Sequence, residues 1–303
     1  MDSLIMNLRL LLFSWIHLRS RPGPLSFVRL FTYKDIKRAT DDFRRIIDNS
    51  SQGAAYKAKF QNGHVALVKE VRVFSEQEHE FYKEVQLLGC LHHRHIVALS
   101  GFSTGHKRFL VFENIENGSL KEHLSDPLRT PLNWRTRLQI IIGVSAALEY
   151  LHFFCDPPIY HVSISSNTIM LDENFTAKLA DVGVLSSGGN RVPLPHSLCS
   201  EECVGQVCRH IIYQLGLLIL ELITGQSSEG GIDLIQWVQE SNFPKSIHKM
   251  IDPDLGNSYD AIELKGLLAV AMVCIKTTDK PTISIQHILR YLQKKVGMVR
   301  NTY

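Results

Sequence analysis

The sequence predicts an α+β chain folded as two lobes, a small β-rich one followed by a larger, mainly helical one. Three observations carry this expectation. From about 42 to 114 short β-type runs dominate, broken by a single helical segment. After the turn signal ENGS (116–119) the pattern changes to helical spacing and stays there. Within that second part, IIYQLGLLILELITG (211–225) is apolar on nearly all sides, the mark of a helix buried at the centre of a lobe. The 303 residues, 45% hydrophobic and 21% charged, have ordinary globular composition and suffice for one large two-lobed domain.

The chain opens with an apolar segment, residues 1–18 (MDSLIMNLRLLLFSWIHL). Arg9 interrupts it, and the uninterrupted part falls short of the roughly 20 residues a membrane span needs. Neither a secretory cleavage site nor a myristoylation signal is evident. An anchor, an amphipathic surface helix and a degenerate remnant all stay open. Arg19 and Arg21 follow, and they would lie on the cytoplasmic side if the run touched a membrane. The expected location is therefore that side, with association through residues 1–18. Residues 19–30, with RSRPGPLS at their start, read as linker, and the folded unit is expected over 31–297 with a tail at 298–303.

In the first lobe (about 42–114), AAYKAKF, HVALVKEV and RFLVFENI read as strands. Between the last two, SEQEHEFYKEVQLLGCLH places Phe81, Val85 and Leu88 at helical spacing. Residues 113–118 read as a hinge. In the second lobe (119–297), NWRTRLQIIIGVSAALEYLHFF carries Leu138, Ile141, Ile142, Ala146 and Leu151 on one stripe, and AIELKGLLAVAMVCIK and SIQHILRYLQKK supply further helices. A formal net charge of +3 without a dense basic tract predicts no nucleic-acid partner. Of the six cysteines, Cys90, Cys155 and Cys274 read as small buried hydrophobes. Cys199, Cys203 and Cys208, with His196 and His210, have a spacing that fits no standard zinc frame, so reduced thiols in a spacer are expected.

Several stretches, in this order and spacing, resemble the catalytic domain of plant receptor-like serine/threonine protein kinases over about 31–297. They are FTYKDIKRATDDF, LLGCLHHRHIVALSGF, FLVFENIENGSLKEHL, ALEYLHFFCDPPIYH, LDENFTAKLADVG and LELITG. The resemblance implies a bilobal protein-kinase-like fold, and ATP with Mg²⁺ as the cofactors of active members. Phosphoryl transfer needs a lysine on the phosphates, metal ligands, a loop of backbone amides and a base for the hydroxyl. By the resemblance, Lys69 matches the phosphate lysine, Glu84 its ion-pair partner, and Asp181 the metal-binding acid. Gly53, Ala55, Leu67 and the hinge residue Glu113 fall at the nucleotide-binding positions.

The chemistry-bearing positions depart from the family pattern. In the glycine-rich loop, Asp48 and Ser50 stand at two of the three glycine positions and Gly53 at the third, while Ala55 stands for the valine over the adenine. Glycine is needed there for close backbone approach to phosphate. Leu67 replaces the alanine on the adenine face and either plugs or reshapes that slot. In the H-R-D-x-x-x-x-N loop His161 is kept, but Val162 stands for the arginine, Ser163 for the catalytic base and Thr168 for the second metal ligand. Ser165 stands for the phosphate lysine, and Asn167 comes one residue early. Val182 replaces the phenylalanine beside Asp181. About 30 residues separate Asp181 from Ile211, with no A-P-E motif; Lys280 stands for the arginine that pairs with it, and Ile211 for the acid that braces the catalytic loop.

General-base help is worth roughly 10²–10⁴ in rate, and serine has no visible base of its own here. No functional catalytic residue is expected, and binding of ATP and Mg²⁺ is expected to be weak or absent. The leading reading is a catalytically impaired kinase-like domain, a pseudokinase, acting as a binding or allosteric partner of other receptor-like kinases or signalling proteins. Two alternatives stand beside it: a weakly active ATP-dependent serine/threonine kinase using Lys69 and Asp181, and a decaying paralogue without function.

Overall fold

The computed structural model describes residues 28–50, 53–71, 78–105, 107–183, 201–227, 250–256, 258–276 and 283–298. The apolar segment 1–18, the spacer cysteine Cys199, Lys280 and residues 299–303 lie outside them, as do the side chains of Asp48, Ser50 and Cys203.

The first lobe is a six-stranded sheet: β1 (Arg29–Phe31), β2 (Ile46–Ser50), β3 (Gly53–Lys59), β4 (Val65–Val71), β5 (Leu99–Ser103) and β6 (Arg108–Glu113), in the order β1-β5-β6-β4-β3-β2. Two helices flank it, α1 (Tyr33–Ala39) and α2 (Glu78–Cys90). The second lobe holds α3 (Leu120–Ser125), α4 (Trp134–Glu149), the two-stranded β7 (Ile169–Leu171) and β8 (Ala177–Leu179), α5 (Glu201–Thr224), α6 (Ala261–Ile275) and α7 (Ile285–Met298). A π turn, Tyr150–Phe154, continues α4. The two-lobed α+β architecture is the one expected.

One boundary differs. Arg29 and Leu30, expected as linker, form β1, which pairs in parallel with β5 through Arg29↔Gly101 and Phe31↔Ser103. Gly101 makes this possible, because a Cβ there would come within 2.3 Å of the Phe31 ring and 2.5 Å of the Arg29 carbonyl. The stretch FTYKDIKRATDDF then folds for local reasons. Thr32 and Asp35 form a capping box at the start of α1, and Asp41, Asp42 and Phe43 turn the chain through left-handed backbone, with φ of 55°, 55° and 63°. This strain is held by packing: the Phe43 ring stacks on Phe109 at 5.5 Å and meets Tyr56 edge-on at 5.3 Å.

Strand alternation divides the first lobe's sheet into two faces. Ala54, Tyr56, Ala58, Ala66, Val68, Phe109 and Val111 form a small core under α1 with Ile36 and Ala39. The opposite face turns towards the second lobe, where Leu110 and Phe112 join the main core that runs through α4, α5 and α6. The helix Val204–Thr224 is long and apolar enough to cross a membrane, but 61% of its apolar window is buried inside the fold. Ile211, Leu215, Leu218, Ile219 and Leu222 pack it at the centre of its lobe.

A buried cation fixes the base of that lobe. Arg137 on α4 is 1% exposed. It donates from Nε to the Leu132 carbonyl at 2.8 Å and from Nη1 to the Leu222 carbonyl at 2.8 Å. Its Nη2 lies 2.7 Å from Oδ2 of Asp252, an ion pair and not a well-directed hydrogen bond. Asp252 Oδ1 in turn accepts from the Asp254 amide at 2.9 Å. Gly225 lets the carboxylate in, since a Cβ there would come within 2.5 Å of Oδ2. The triangle ties α4, the end of α5 and residues 252–254 together. Removing one partner strands a buried charge, so Asp252→Ala is expected to lower unfolding free energy by about 3–5 kcal/mol, read as a lower urea midpoint; an unchanged midpoint would contradict the assignment.

Candidate functional site

The site begins with strand register. Lys69 on β4 sits opposite Ala55 on β3 and Leu110 on β6, and Leu67 sits opposite Lys57 and Phe112. Directly opposed residues share a face, so Ala55, Leu67 and Lys69 all look into the cleft between the lobes. Leu67 is partly buried and packs against the main core. Gly53 has a reason of its own to be glycine: its φ is +142°, and a Cβ would fall 2.0 Å from the Glu70 carbonyl. The close approach of β3 to β4 requires it independently of any phosphate.

Asp181 comes to the cleft from below, at the end of β8. Lys69 Nζ lies 4.0 Å from Asp181 Oδ1, beyond hydrogen-bond range. That oxygen is buried and accepts no hydrogen bond. Burial pushes the Asp181 carboxyl up to about 6, against the lowering effect of the Lys69 charge. Glu84 on α2 is 4% exposed. Its carboxylate lies against Gly183, where φ is +103° and a Cβ would come within 2.1 Å of Oε1. Lys69, Glu84 and Asp181 thus gather around residues 181–183.

Glu113 does not join them. Its Oε1 accepts from Lys178 Nζ at 2.9 Å and from the Ala98 amide at 2.8 Å. Its carboxylate is turned to β8 and to the approach to β5, where it links the hinge to the second lobe. Composition and periodicity carry no trace of this pair, whose members are 65 residues apart.

The loop 161–168 is closed by its own hydroxyls. Thr168 Oγ1 accepts from the Ser165 amide at 2.9 Å and donates to the Ser163 carbonyl at 2.9 Å. Ser165 Oγ lies 3.3 Å from Thr168 Oγ1. With one proton and two lone pairs, Thr168 is committed to shaping the loop, so the oxygen at the second metal-ligand position is not free for a cation. Asn167 is exposed. Val162 and Val182, which replace a charged and an aromatic residue, are 8% and 3% exposed and form a backbone bridge. The Ser163 amide donates to the Asp181 carbonyl at 3.1 Å and the Gly183 amide to the His161 carbonyl at 2.9 Å. An apolar clasp stands where the family pattern has charge and ring.

One functional residue was not foreseen. Ile211, at the bracing position, is 1% exposed and belongs to the main core. Gln214, one turn further along α5, reaches the loop instead: its Oε1 accepts from the Ile164 amide at 3.3 Å. A polar residue within the otherwise apolar run 211–220 was the available signal.

Among the described residues, the groups at the cleft fit one cation and not two. Asp181 Oδ1 is a buried carboxylate oxygen without a donor, which a cation would satisfy, with Lys69 beside it for phosphate oxygens. Thr168 offers no second ligand. Bound ATP with Mg²⁺ would supply the transferable phosphoryl group and its charge neutralisation; the chain's own contribution is this single carboxylate and lysine.

Two outcomes follow from this geometry. A carboxyl with a raised pKa is neutral in both states at low pH, and its penalty appears as pH rises through the unfolded value of 3.8 towards about 6. Asp181→Asn is therefore expected to stabilise the fold at pH 7.5 by about 3 kcal/mol, with the gain falling to about 0.5 kcal/mol at pH 4, as read from denaturation midpoints across pH. A gain that persists unchanged at pH 4 would refute the titration. Gln214→Leu is expected to speed hydrogen exchange at the Ile164 amide by about tenfold with little effect on amides in α6; unchanged exchange at Ile164 would rule out the brace.

Comparison with known proteins agrees with the fold. The family profile described as protein tyrosine and serine/threonine kinase matches residues 43–240. A probable receptor-like protein kinase of Arabidopsis thaliana is 38% identical over 298 residues, covering 92% of this chain but 45% of the relative, so the chain spans less than half of that protein's length. The probable serine/threonine-protein kinase PBL25 of the same plant is 33% identical, with 84% of this chain and 73% of the relative covered. Among solved structures, the pseudokinase domain of BIR2, described as an immune regulator of the RLK/Pelle family, superposes with a TM-score of 0.75 at 28% identity, covering 89% of this chain and 86% of that one. An apo pseudokinase superposes with a TM-score of 0.73 at 25% identity, covering 89% and 94%. The chain belongs to the protein tyrosine and serine/threonine kinase family.

Proposed function

We propose that this chain is a pseudokinase: a kinase-fold domain that transfers little or no phosphate and acts by binding, as an allosteric or scaffolding partner of receptor-like kinases or their signalling proteins. One observation carries the reading. The loop 161–168 contains no carboxylate, and its hydroxyl at the second metal-ligand position, Thr168, is consumed by hydrogen bonds within the loop. A hydroxyl without an adjacent base cannot accept the proton of an attacking hydroxyl, so neither Ser163 nor Thr168 replaces the missing acid. Support for the partner role is the likeness to the pseudokinase domain of BIR2, whose own description is that of an immune regulator.

A second reading, a weakly active kinase, rests on the pairing of Lys69 with Asp181 and on the unsatisfied Oδ1. One carboxylate and one lysine could hold a nucleotide through a single cation without a base to complete transfer. Leu67 in the cleft and the charge of Asp48 in the glycine-rich loop argue for weak nucleotide binding or none. The apolar segment 1–18 would add membrane association on the cytoplasmic side to either reading.

The full chain incubated with labelled ATP and Mg²⁺ is expected to incorporate no phosphate above a Lys69→Ala control. Its melting temperature is expected to stay at the buffer value with ATP and Mg²⁺ added. Autophosphorylation lost in Asp181→Asn would overturn the pseudokinase reading. A thermal shift abolished by Lys69→Ala, without phosphate incorporation, would restore nucleotide binding and leave that reading standing.

A further inference from the structure

The outer face of the first lobe carries a recess of about 200 Å³ that no part of the cleft uses. Arg29 on β1, Arg38 in the last turn of α1 and Lys59 at the end of β3 line it, around a floor made by Phe31 and Phe60. The two rings stack with centroids 4.6 Å apart, and the Arg29 guanidinium lies 4.9 Å over the Phe31 ring. All three cations are exposed, and none forms an ion pair within 4 Å among the described residues. The one acid in the lining, Asp35, is already engaged: its carboxylate accepts from the Thr32 amide at 3.1 Å and the Thr32 hydroxyl at 2.7 Å in the cap of α1. Three cations against one occupied carboxylate leave an excess of two positive charges.

From this placement we infer that the recess binds a phosphorylated side chain on a segment of a partner protein. A phosphate monoester carries between −1.5 and −2 charges at neutral pH and three acceptor oxygens, which matches the excess and the fork geometry of two arginines. Phe31 is buried beneath Phe60 and Arg29, and the half-buried Phe60 ring gives the flanking peptide an apolar contact that a free anion would leave unused. A lipid surface is the poorer match: polybasic membrane sites gather about 4–8 cations on an exposed patch, whereas these three border a concave recess. The inference does not depend on whether the nucleotide cleft is competent.

The test uses the full chain and short fluorescein-labelled peptides carrying a central phosphoserine, a central phosphotyrosine or the unphosphorylated residue, read by fluorescence polarisation. Inorganic phosphate as competitor and vesicles of phosphatidylcholine with phosphatidylserine are run beside them. At least one phosphopeptide is expected to bind, more weakly as salt rises, and at least about tenfold more tightly than its unphosphorylated form. Arg38→Glu and Lys59→Glu should each weaken it by about tenfold or more. Lys83→Glu, an equal charge change on an exposed residue of α2 that pairs with Glu80, should leave it within about twofold. Arg38→Gln gives the same reading should charge reversal disturb folding. Equal binding of phosphorylated and unphosphorylated peptides would overturn the inference. So would equal losses in Arg38→Glu and Lys83→Glu, or Arg38-dependent sedimentation with vesicles in the absence of phosphopeptide binding.

Discussion

Backbone hydrogen bonds through Leu179–Gly183 hold the two lobes and the cleft in register. Leu179 donates to the His95 carbonyl and accepts from the Val97 amide, each at 2.9 Å, which joins β8 to the chain leading into β5. Ala180 donates to the Thr168 carbonyl at 3.0 Å, Asp181 accepts from the Ser163 amide, and Gly183 donates to the His161 carbonyl. The segment is stitched on both sides by groups that every residue possesses. The position of Asp181 beneath Lys69 is therefore fixed by main-chain bonds, while the side chains at 162 and 168 shape the loop that carries their partners. That is how a kinase fold can lose its chemical groups and keep the geometry of its cleft.

The residues at these positions fit their surroundings and are not left loose. Val162 and Val182 substitute an apolar bridge for a charge and a ring, and both are nearly fully buried. Thr168 exchanges a ligand's role for a loop-closing one. Gln214 braces the loop from one turn beyond the usual site, and Ile211 at that site joins the core. Each change satisfies the polar groups it touches or removes them from water, as buried groups must be. Asp181 is the exception, an acid kept in a buried position with one oxygen unsatisfied. Leaving a buried polar group imperfectly paired is costly in a scaffold that only has to fold, so Asp181 marks the place in the cleft where a ligand would improve the local energetics.

The binding role proposed for the domain places its useful surfaces away from the chemistry. The recess between β1, α1 and the β3–β4 turn depends on the N-terminal stretch FTYKDIKRATDDF folding back on the sheet. Its aromatic residues seal the small core, and its basic residues are left at the surface. The same stretch thus builds the lobe and furnishes a charged face.

The sequence by itself determined the two lobes, the central apolar helix, the amphipathic stripes of α2, α4 and α7, and serine, serine and threonine at the acid, lysine and amide positions 163, 165 and 168. These are properties of residue type and of spacing within one element, where hydrophobic period and motif order suffice. The tertiary structure alone decided which groups meet across the chain. Glu113 goes to Lys178, 65 residues away; the Ile164 amide to Gln214, 50 away; Arg137 to the Leu222 carbonyl, 85 away. Arg29 and Leu30 read as linker because a three-residue strand has no period to detect, and only the parallel pairing with β5 makes them sheet. Side chains of one type can serve a ligand, a cap or a neighbouring strand equally well, and packing chooses among them by bringing one partner within about 3 Å.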